Sequence, residues 1–404
     1  MATTSFLYHS LGLRGYRHLA TRYEGGCLIH HVEMAADKRR CKGCGAPASD
    51  LILDGRFQRT FKGLPVGSKR QLVVLHGHEQ VCRRCGAKLR EPILFAEGSR
   101  RHLRCFERFV VDLCWIAPIK HVARFLGVSW NFVKDMFKRH LGRRLKKRSF
   151  KGVRRIAIDE FSIRKGHQYM TVILDLDTGE ILHSAEGRSA DAVIPFLQKL
   201  KIARAKLQAV AMDMWPAYLL GVREVFEDVP IVHDTYHIVA LANAAIDATR
   251  RDMYRSLKGQ DRRVLKGSRF LLLRGGERLD HSALTHLEKL EHLNRPLFQA
   301  YLLKEDLRRF WRSADKTAAK KFLGAWIARA LATRHKHFVK LAKTLRAHRN
   351  GLFAYFDHRI STGPLEGINN KIKVLKRQAY GFRDIEYFKL RLAFLHESTP
   401  AFAG

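Results

Sequence analysis

Two Cys-x-x-Cys pairs stand in the first hundred residues, Cys41 with Cys44 and Cys82 with Cys85, each followed by a glycine (Gly45, Gly86). Two thiolates at this spacing reach one ion only across a tight turn, where glycine relieves the backbone and amides stabilise charge on sulfur. Four such sulfurs close a tetrahedral structural site, which predicts one Zn²⁺ per chain. A redox pair is the other chemistry open to a Cys-x-x-Cys. Its duplication here, with Lys42, Arg83 and Arg84 between the sulfurs and no thioredoxin-like pattern, argues for metal. Cys27, Cys105 and Cys114 then remain ordinary thiols, and His76 and His78 read as surface residues.

Three acids suggest a second chemistry. Asp159 lies in the strand-like run Arg155–Phe161, and Asp213 directly follows the buried-strand pattern Leu207–Met212. Glu366 falls in the first turn of a helix opened by Ser361-Thr-Gly-Pro. If the strands of Asp159 and Asp213 pair at a sheet centre, two carboxylates share one place. They repel unless divalent cations sit between them, so the pair predicts metal. Two ions about 3.5–4 Å apart would suit in-line displacement at phosphorus, with Glu366 as the third ligand. Asn369, Asn370, Lys373, Lys376 and Arg377, further along the same helix, are placed to hold phosphates. Glu160, Asp175 and Asp357 are nearby acids able to replace a named ligand.

These side chains need particular elements to position them. The pattern predicts three hairpin strands (Arg155–Phe161, His167–Asp175, Gly179–His183, the first turn at Lys165-Gly166), a helix from Ser189 to Leu200, a fourth strand, a helix from Pro216 to Phe226, and a short strand at Pro230–His233. That order is RNase H-like. Ahead of it, apolar residues at helical spacing over Leu103–Ile116, a helix at Ile119–Leu126, the turn Gly127-Val128-Ser129 and a third helix from Trp130 to Leu141 spell a helix-turn-helix. Asn131, Lys134, Lys138 and Arg139 would face a DNA major groove, although any three-helix packing element has the same period. The chain thus reads as a multidomain α/β protein: a zinc ribbon (1–100), a helix-turn-helix domain with a basic linker at Arg143–Lys151 (101–150), the first part of the RNase H-like domain (151–238), an α-helical insertion (239–360), and the closing helices of that domain (361–404).

Charge indicates the partner. In 404 residues, 75 Lys and Arg oppose 38 Asp and Glu, leaving +37 spread along the chain. Such an excess fits a polyanion, and duplex DNA in particular. Ribosomal, histone-like and membrane-surface proteins share the composition. No window reaches the roughly 18 apolar residues of a spanning helix and no export signal opens the chain, so a soluble cytoplasmic, nucleoid-associated protein is expected, with no membrane partner.

Taken together, the double knuckle Cys41–Cys85, the turn Leu126-Gly-Val-Ser-Trp130, the strand Ile156-Ala-Ile-Asp159-Glu-Phe, the segment Met212-Asp213-Met-Trp-Pro-Ala-Tyr218 and Glu366-Gly-Ile-Asn-Asn-Lys-Ile-Lys373 resemble the ISL3-type insertion-sequence transposases, a bacterial family of DDE enzymes, over almost the whole length. The resemblance implies that Asp159, Asp213 and Glu366 form the DDE triad, with Mg²⁺ as the working ion and Mn²⁺ as a substitute. It also implies that terminal inverted repeats and target DNA are the partners, engaged by a homodimer or larger assembly. Asp234-Thr-Tyr-His237 matches the Asp-x-x-His signature of related families. His237 would then contact the scissile phosphate or steady the metal site; a histidine satisfied by a helix-start hydrogen bond fits equally. Trp311 and Trp326 in the insertion would stack on an unpaired base or simply fill the helical core. A transposase-derived repressor without catalysis, and an RNase H or junction nuclease, are the competing functions.

Overall fold

The structure, a computed structural model, describes residues 6–164, 166, 168–256 and 265–397. Lys165 and His167, at the expected first hairpin turn, lie outside the described residues. The chain divides into two compact units, with the boundary between Arg144 and Leu145.

In the first unit the short helix α1 (Phe6–Leu11) precedes β1 (Tyr16–Glu24), β2 (Cys27–Met34), β3 (Leu51–Lys62), β4 (Arg70–Cys82) and β5 (Lys88–Arg90). The strands run in the order β1-β2-β4-β3, with β5 on β4. β2 and β4 are parallel, and the other pairs antiparallel. Between the cysteine pairs the sequence reads as strands around Arg56–Leu75, a span that leaves out β1. β1 escapes it because, after Tyr16, none of its residues is buried and its run is rich in Arg, His and Thr. One face buries Val32, Met34, Phe61, Val73 and Leu75. Phe95 packs edge-on against Tyr16 at 4.8 Å and Phe61 at 5.0 Å. Gly77 is required where the Phe57 ring crosses β4, because a Cβ there would meet the ring at 2.3 Å.

The opposite face corrects the expectation that His76 and His78 are simple surface residues. β4 is interior to the sheet, so its outward side chains are flanked by those of β2 and β3. His76 Nε2 lies 2.9 Å from His31 Nδ1, and its Nδ1 lies 3.2 Å from Gln58 Nε2. His78 stands 3.9 Å from the fully buried carboxylate of Glu91, which Arg39 approaches at 3.5 Å.

Three helices complete the unit: α2 (Arg104–Ile116), α3 (Ile119–Leu126) and α4 (Trp130–Lys146). Phe106, Val110, Val122, Val133, Phe137 and Leu141 form their buried faces. Gly127 takes φ +60° to end α3, and Ser129 Oγ accepts from the Phe132 amide at 3.2 Å to start α4. α4 continues past Leu141 because Arg, Leu and Lys are good helix formers. Part of the tract expected as an open basic linker is therefore helical. Arg143 reaches Glu97 and Glu107 at 3.5 and 3.8 Å, and Arg148 donates to the Ile181 carbonyl at 2.7 Å and pairs with Glu180.

The second unit is built on β6 (Arg155–Arg164), β7 (Gln168–Asp175), β8 (Ile181–Glu186), β9 (Ala209–Met212) and β10 (Ile231–His233), in the order β10-β9-β6-β7-β8. β6, β7 and β8 are antiparallel neighbours, whereas β9 runs parallel to β6 and β10 parallel to β9. Alternation sends Ile156, Ile158, Ile173 and Val210 toward α5 (Ile194–Ile202) and α6 (Pro216–Val225). Ala157, Val172, Ala211 and Val232 pack with Leu365, Ile368 and Ile372 of helix Gly363–Gln378 and with Phe388 of helix Ile385–Ala393.

Between β10 and the closing helices lies a helical region that begins with α7 (Thr235–Ser256), four residues earlier than expected, and ends with Arg349–His358. Trp326 is completely buried there and donates to the Leu303 carbonyl at 2.9 Å. Trp311 is packed against the same cluster. Trp326 is thus core and has no free face for a base. No helix among the described residues is long and apolar enough to cross a membrane.

His183 on β8 stacks on Phe196, ring centroids 5.1 Å apart and nearly parallel. Burial lowers its pKa to about 4. The unfolded chain protonates it near 6.5, so the neutral form favours folding fully above that pH, and this contribution fades as pH falls toward 4. The change amounts to about 3 kcal/mol. His183→Phe should make the urea midpoint of the second unit less sensitive to acid between pH 6.5 and 4; an unaltered pH profile would contradict this.

Candidate functional site

The β6–β9 pairing aligns Arg155 with Ala209 and Ala157 with Ala211. Two residues further on, alternation carries Asp159 and Asp213 to the face covered by helix Gly363–Gln378. Asp159 Oδ1 accepts from the Glu160 amide at 2.8 Å, and Asp213 Oδ1 from the Trp215 amide at 3.0 Å. Asn369 Nδ2 donates to Asp159 Oδ2 at 3.2 Å, tying that helix to the sheet. Asp234, just beyond β10, is 4% exposed; its amide donates to the Met212 carbonyl at 3.0 Å. Its carboxylate accepts from the His237 amide at 3.4 Å, with His237 Nε2 at 3.9 Å. His237 is thus held in the first turn of α7 by a helix-start contact.

Burial raises the pKa of Asp159, opposed by the Glu160 amide, His237 and Asn369, and Asp213 pushes it further up. Asp213 is likewise raised by burial, against the Trp215 amide and His237, with Asp234 adding to the rise and Arg188 countering it. Glu160 is raised by burial and then by Asp213 and Asp159. These acids therefore form one electrostatic cluster whose ionised state calls for a cation.

Glu366 is not part of that cluster here. It is exposed, one turn before Asn369, and the three carboxylates are not all within 4.8 Å of one another; among the described residues only the cysteines form such a group. Asn370 and Lys373 are exposed and 3.4 Å apart, and Arg377 is exposed. Lys376 differs from expectation: its ammonium donates to the carbonyls of Ser162 and Ile163 at 3.2 and 2.6 Å, fastening the helix to the end of β6. Of the substitute acids, Asp175 accepts from the Asp177 amide in a turn and Asp357 pairs with Lys316, leaving only Glu160 near the pair. On α4, Asn131 and Arg139 are exposed, Lys138 is half-buried, and Lys134 lies over the Trp130 ring at 5.1 Å.

Sequence reasoning missed Arg188, whose guanidinium lies between the rings of Tyr169 and Trp215. Its only local signal is its place after Gly187, because its partners come from β7 and from the turn after β9.

In the first unit the four cysteine sulfurs all lie within 4.8 Å of one another, with Cys41–Cys85 and Cys44–Cys82 at 3.7 Å. A tetrahedron with metal–sulfur bonds of about 2.3 Å has edges of about 3.8 Å, so the cage has the size of a thiolate-bound ion. The Cys44 amide, helped by that of Gly43, brings Cys41 down to about 6. Cys85, although the Ala87 amide favours its thiolate, is driven up to about 12 by Cys44, Cys41 and Cys82. Four thiolates thus cannot coexist without a cation, and this donor set fits a metal. Burial pushes Cys105 up to about 11, as befits an inert thiol.

A paired acidic site on a central parallel strand pair, preceded in the chain by a four-cysteine cluster able to hold a metal, marks an α/β protein with two candidate metal sites. The ISL3 model of a family described as "Transposase" matches residues 156–392, and the chain belongs to that family. The transposase for insertion sequence element IS1001 of Bordetella parapertussis is 31% identical over 377 residues, 92% of each chain. That for IS1557 of Mycobacterium tuberculosis is 29% identical, over 89% of this chain and 86% of its own. A Drosophila P element transposase strand transfer complex is similar with a TM-score of 0.36 and 8% identity, over 72% of this chain and 91% of that one.

Replacing Cys82 with Ser should remove the bound metal, measured as ions per chain by mass spectrometry, and destabilise the first unit by several kcal/mol, because binding energy at such sites is folding energy. Full metal occupancy in this variant would refute a four-thiolate site.

Proposed function

We propose that this insertion-sequence transposase recognises terminal inverted repeats with its first unit and cuts and rejoins DNA at Asp159 and Asp213, with Glu366 as third ligand, in an RNase H-like core. The observation that carries this reading is the pair of half-buried carboxylates at the neighbouring ends of β6 and β9, each raised by desolvation. Their donor set suits Mg²⁺ or Mn²⁺, which when bound would supply Lewis acidity at the phosphodiester. Glu366 lies one turn from Asn369 on a helix already touching Asp159, so a modest shift of its side chain and first turn on DNA would add it to the pair.

The chain's own groups do the positioning. The Glu160 and Trp215 amides orient the two carboxylates, Asn369 fixes one Asp159 oxygen, and Asp234 holds His237 at the start of α7. Asn370, Lys373 and Arg377 are exposed on the same helix and fit contact with the strand being cut. Asn131, Lys138 and Arg139 on α4 suit groove and backbone contacts, with Lys134 stiffened over Trp130. The cysteine cage fits Zn²⁺, and pairing of two DNA ends implies a dimer or larger assembly on DNA.

The full chain with Mg²⁺ and a duplex carrying the repeat that borders its gene should nick at the repeat end. Asp159→Asn and Asp213→Asn should each lower the nicking rate by at least about 10³-fold, and Glu366→Gln comparably, while the gel shift of the same duplex persists. Full cutting by Asp159→Asn would overturn the catalytic assignment, and binding without cutting by the unmodified chain would favour a repressor.

A further inference from the structure

Arg188 follows β8 and is exposed, yet its position is tightly specified. Its guanidinium carbon lies 4.7 Å from the centre of the Tyr169 ring and 4.6 Å from that of Trp215. The Trp215 indole N–H donates to the Arg188 carbonyl at 2.9 Å, so one tryptophan holds both backbone and head group. On the preceding residue, the Gly187 amide donates to the Tyr169 carbonyl at 2.8 Å, and its own carbonyl accepts from the Thr171 hydroxyl at 2.7 Å. Thr171 is completely buried. The turn carrying Arg188 is thereby clamped to β7.

The same tryptophan connects this cation to the acids, because the Trp215 amide is the donor that orients Asp213. Arg188 is close enough for its charge to act on Asp213 and Glu160, but no carboxylate is within ion-pair distance of it among the described residues. A guanidinium stacked on aromatic rings keeps its N–H edges for hydrogen bonding, in a planar fork that matches phosphate oxygens. Such a group, pre-ordered beside an acidic cluster yet not neutralised by it, is placed for an anion that must approach the acids.

We propose that Arg188 binds a phosphodiester oxygen of the DNA strand next to the scissile bond, its fork held ready by Tyr169 and Trp215. This rests on the catalytic reading of Asp159 and Asp213 and adds a phosphate ligand from outside helix Gly363–Gln378. The contact offsets the repulsion between the carboxylates and the entering strand, and fixes the strand relative to Asp213 through Trp215.

The test uses the full chain, Mg²⁺ and duplexes carrying the bordering repeat, either unmodified or with a single neutral methylphosphonate at each phosphate flanking the cut in turn. Arg188→Ala should slow nicking by about 100-fold on unmodified DNA, and Arg188→Lys should recover only part of this, because an ammonium lacks the planar fork. At one flanking position the neutral linkage should slow the unmodified protein but not Arg188→Ala, an insensitivity that a purely structural role would not produce. An unchanged urea midpoint for Arg188→Lys is expected for an exposed side chain. If Asp159→Asn is inactive while Arg188→Ala nicks at the full rate, or stays as sensitive as the unmodified protein to every flanking methylphosphonate, Arg188 is not a phosphate ligand and the catalytic reading stands. If Asp159→Asn itself nicks at the full rate, the catalytic reading falls and this inference falls with it.

Discussion

Two carboxylates held side by side at the buried end of a parallel strand pair are the constraint around which the second unit is organised. β6 and β9 bring Asp159 and Asp213 together at the centre of the sheet. Their burial disfavours the charged forms, and Asp213 adds to that cost at Asp159. Several polar partners offset this cost: amides from Glu160 and Trp215, a side-chain amide from Asn369, and the guanidinium of Arg188. Desolvated carboxylates that repel one another are hospitable to cations.

The helix Gly363–Gln378 shows how the rest of the chain is recruited to the site. Its apolar side completes the sheet's second face with Leu365, Ile368 and Ile372, while Asn369 and Lys376 on its polar edge bond to β6. A helix secured by both packing and hydrogen bonds sets a definite place for Glu366, exposed in its N-terminal turn one turn before Asn369. The helical region between β10 and that helix has its own core around Trp326, Phe310 and Phe338, so it is an independent mass of structure rather than an extended loop.

The first unit obeys the same logic with sulfur. The four thiols occupy the connections at the ends of β3 and β4, where the strands hold two turns against each other, and their mutual effect on ionisation makes a metal-free cage unfavourable. Sheet, cage and most of the three helices lie in one compact unit.

Much of this was legible in the residues. The bounds of α3, the Ser129 cap, the strands carrying Asp159 and Asp213, and the cysteine quartet follow from local periodicity, turn chemistry and ligand spacing, which depend on near neighbours in the chain. β1, the pairing of His31 with His76, the buried Glu91, the backbone-bound Lys376 and the stacked Arg188 were not legible, because each depends on segments far apart in sequence. An arginine after a glycine looks like any exposed cation until the fold sets Tyr169 and Trp215 on either side of it. Sequence decided which groups could ionise, ligate or cap; only the tertiary structure decided which of them were left with an unmet charge, since that depends on what the folded chain places within a few ångströms.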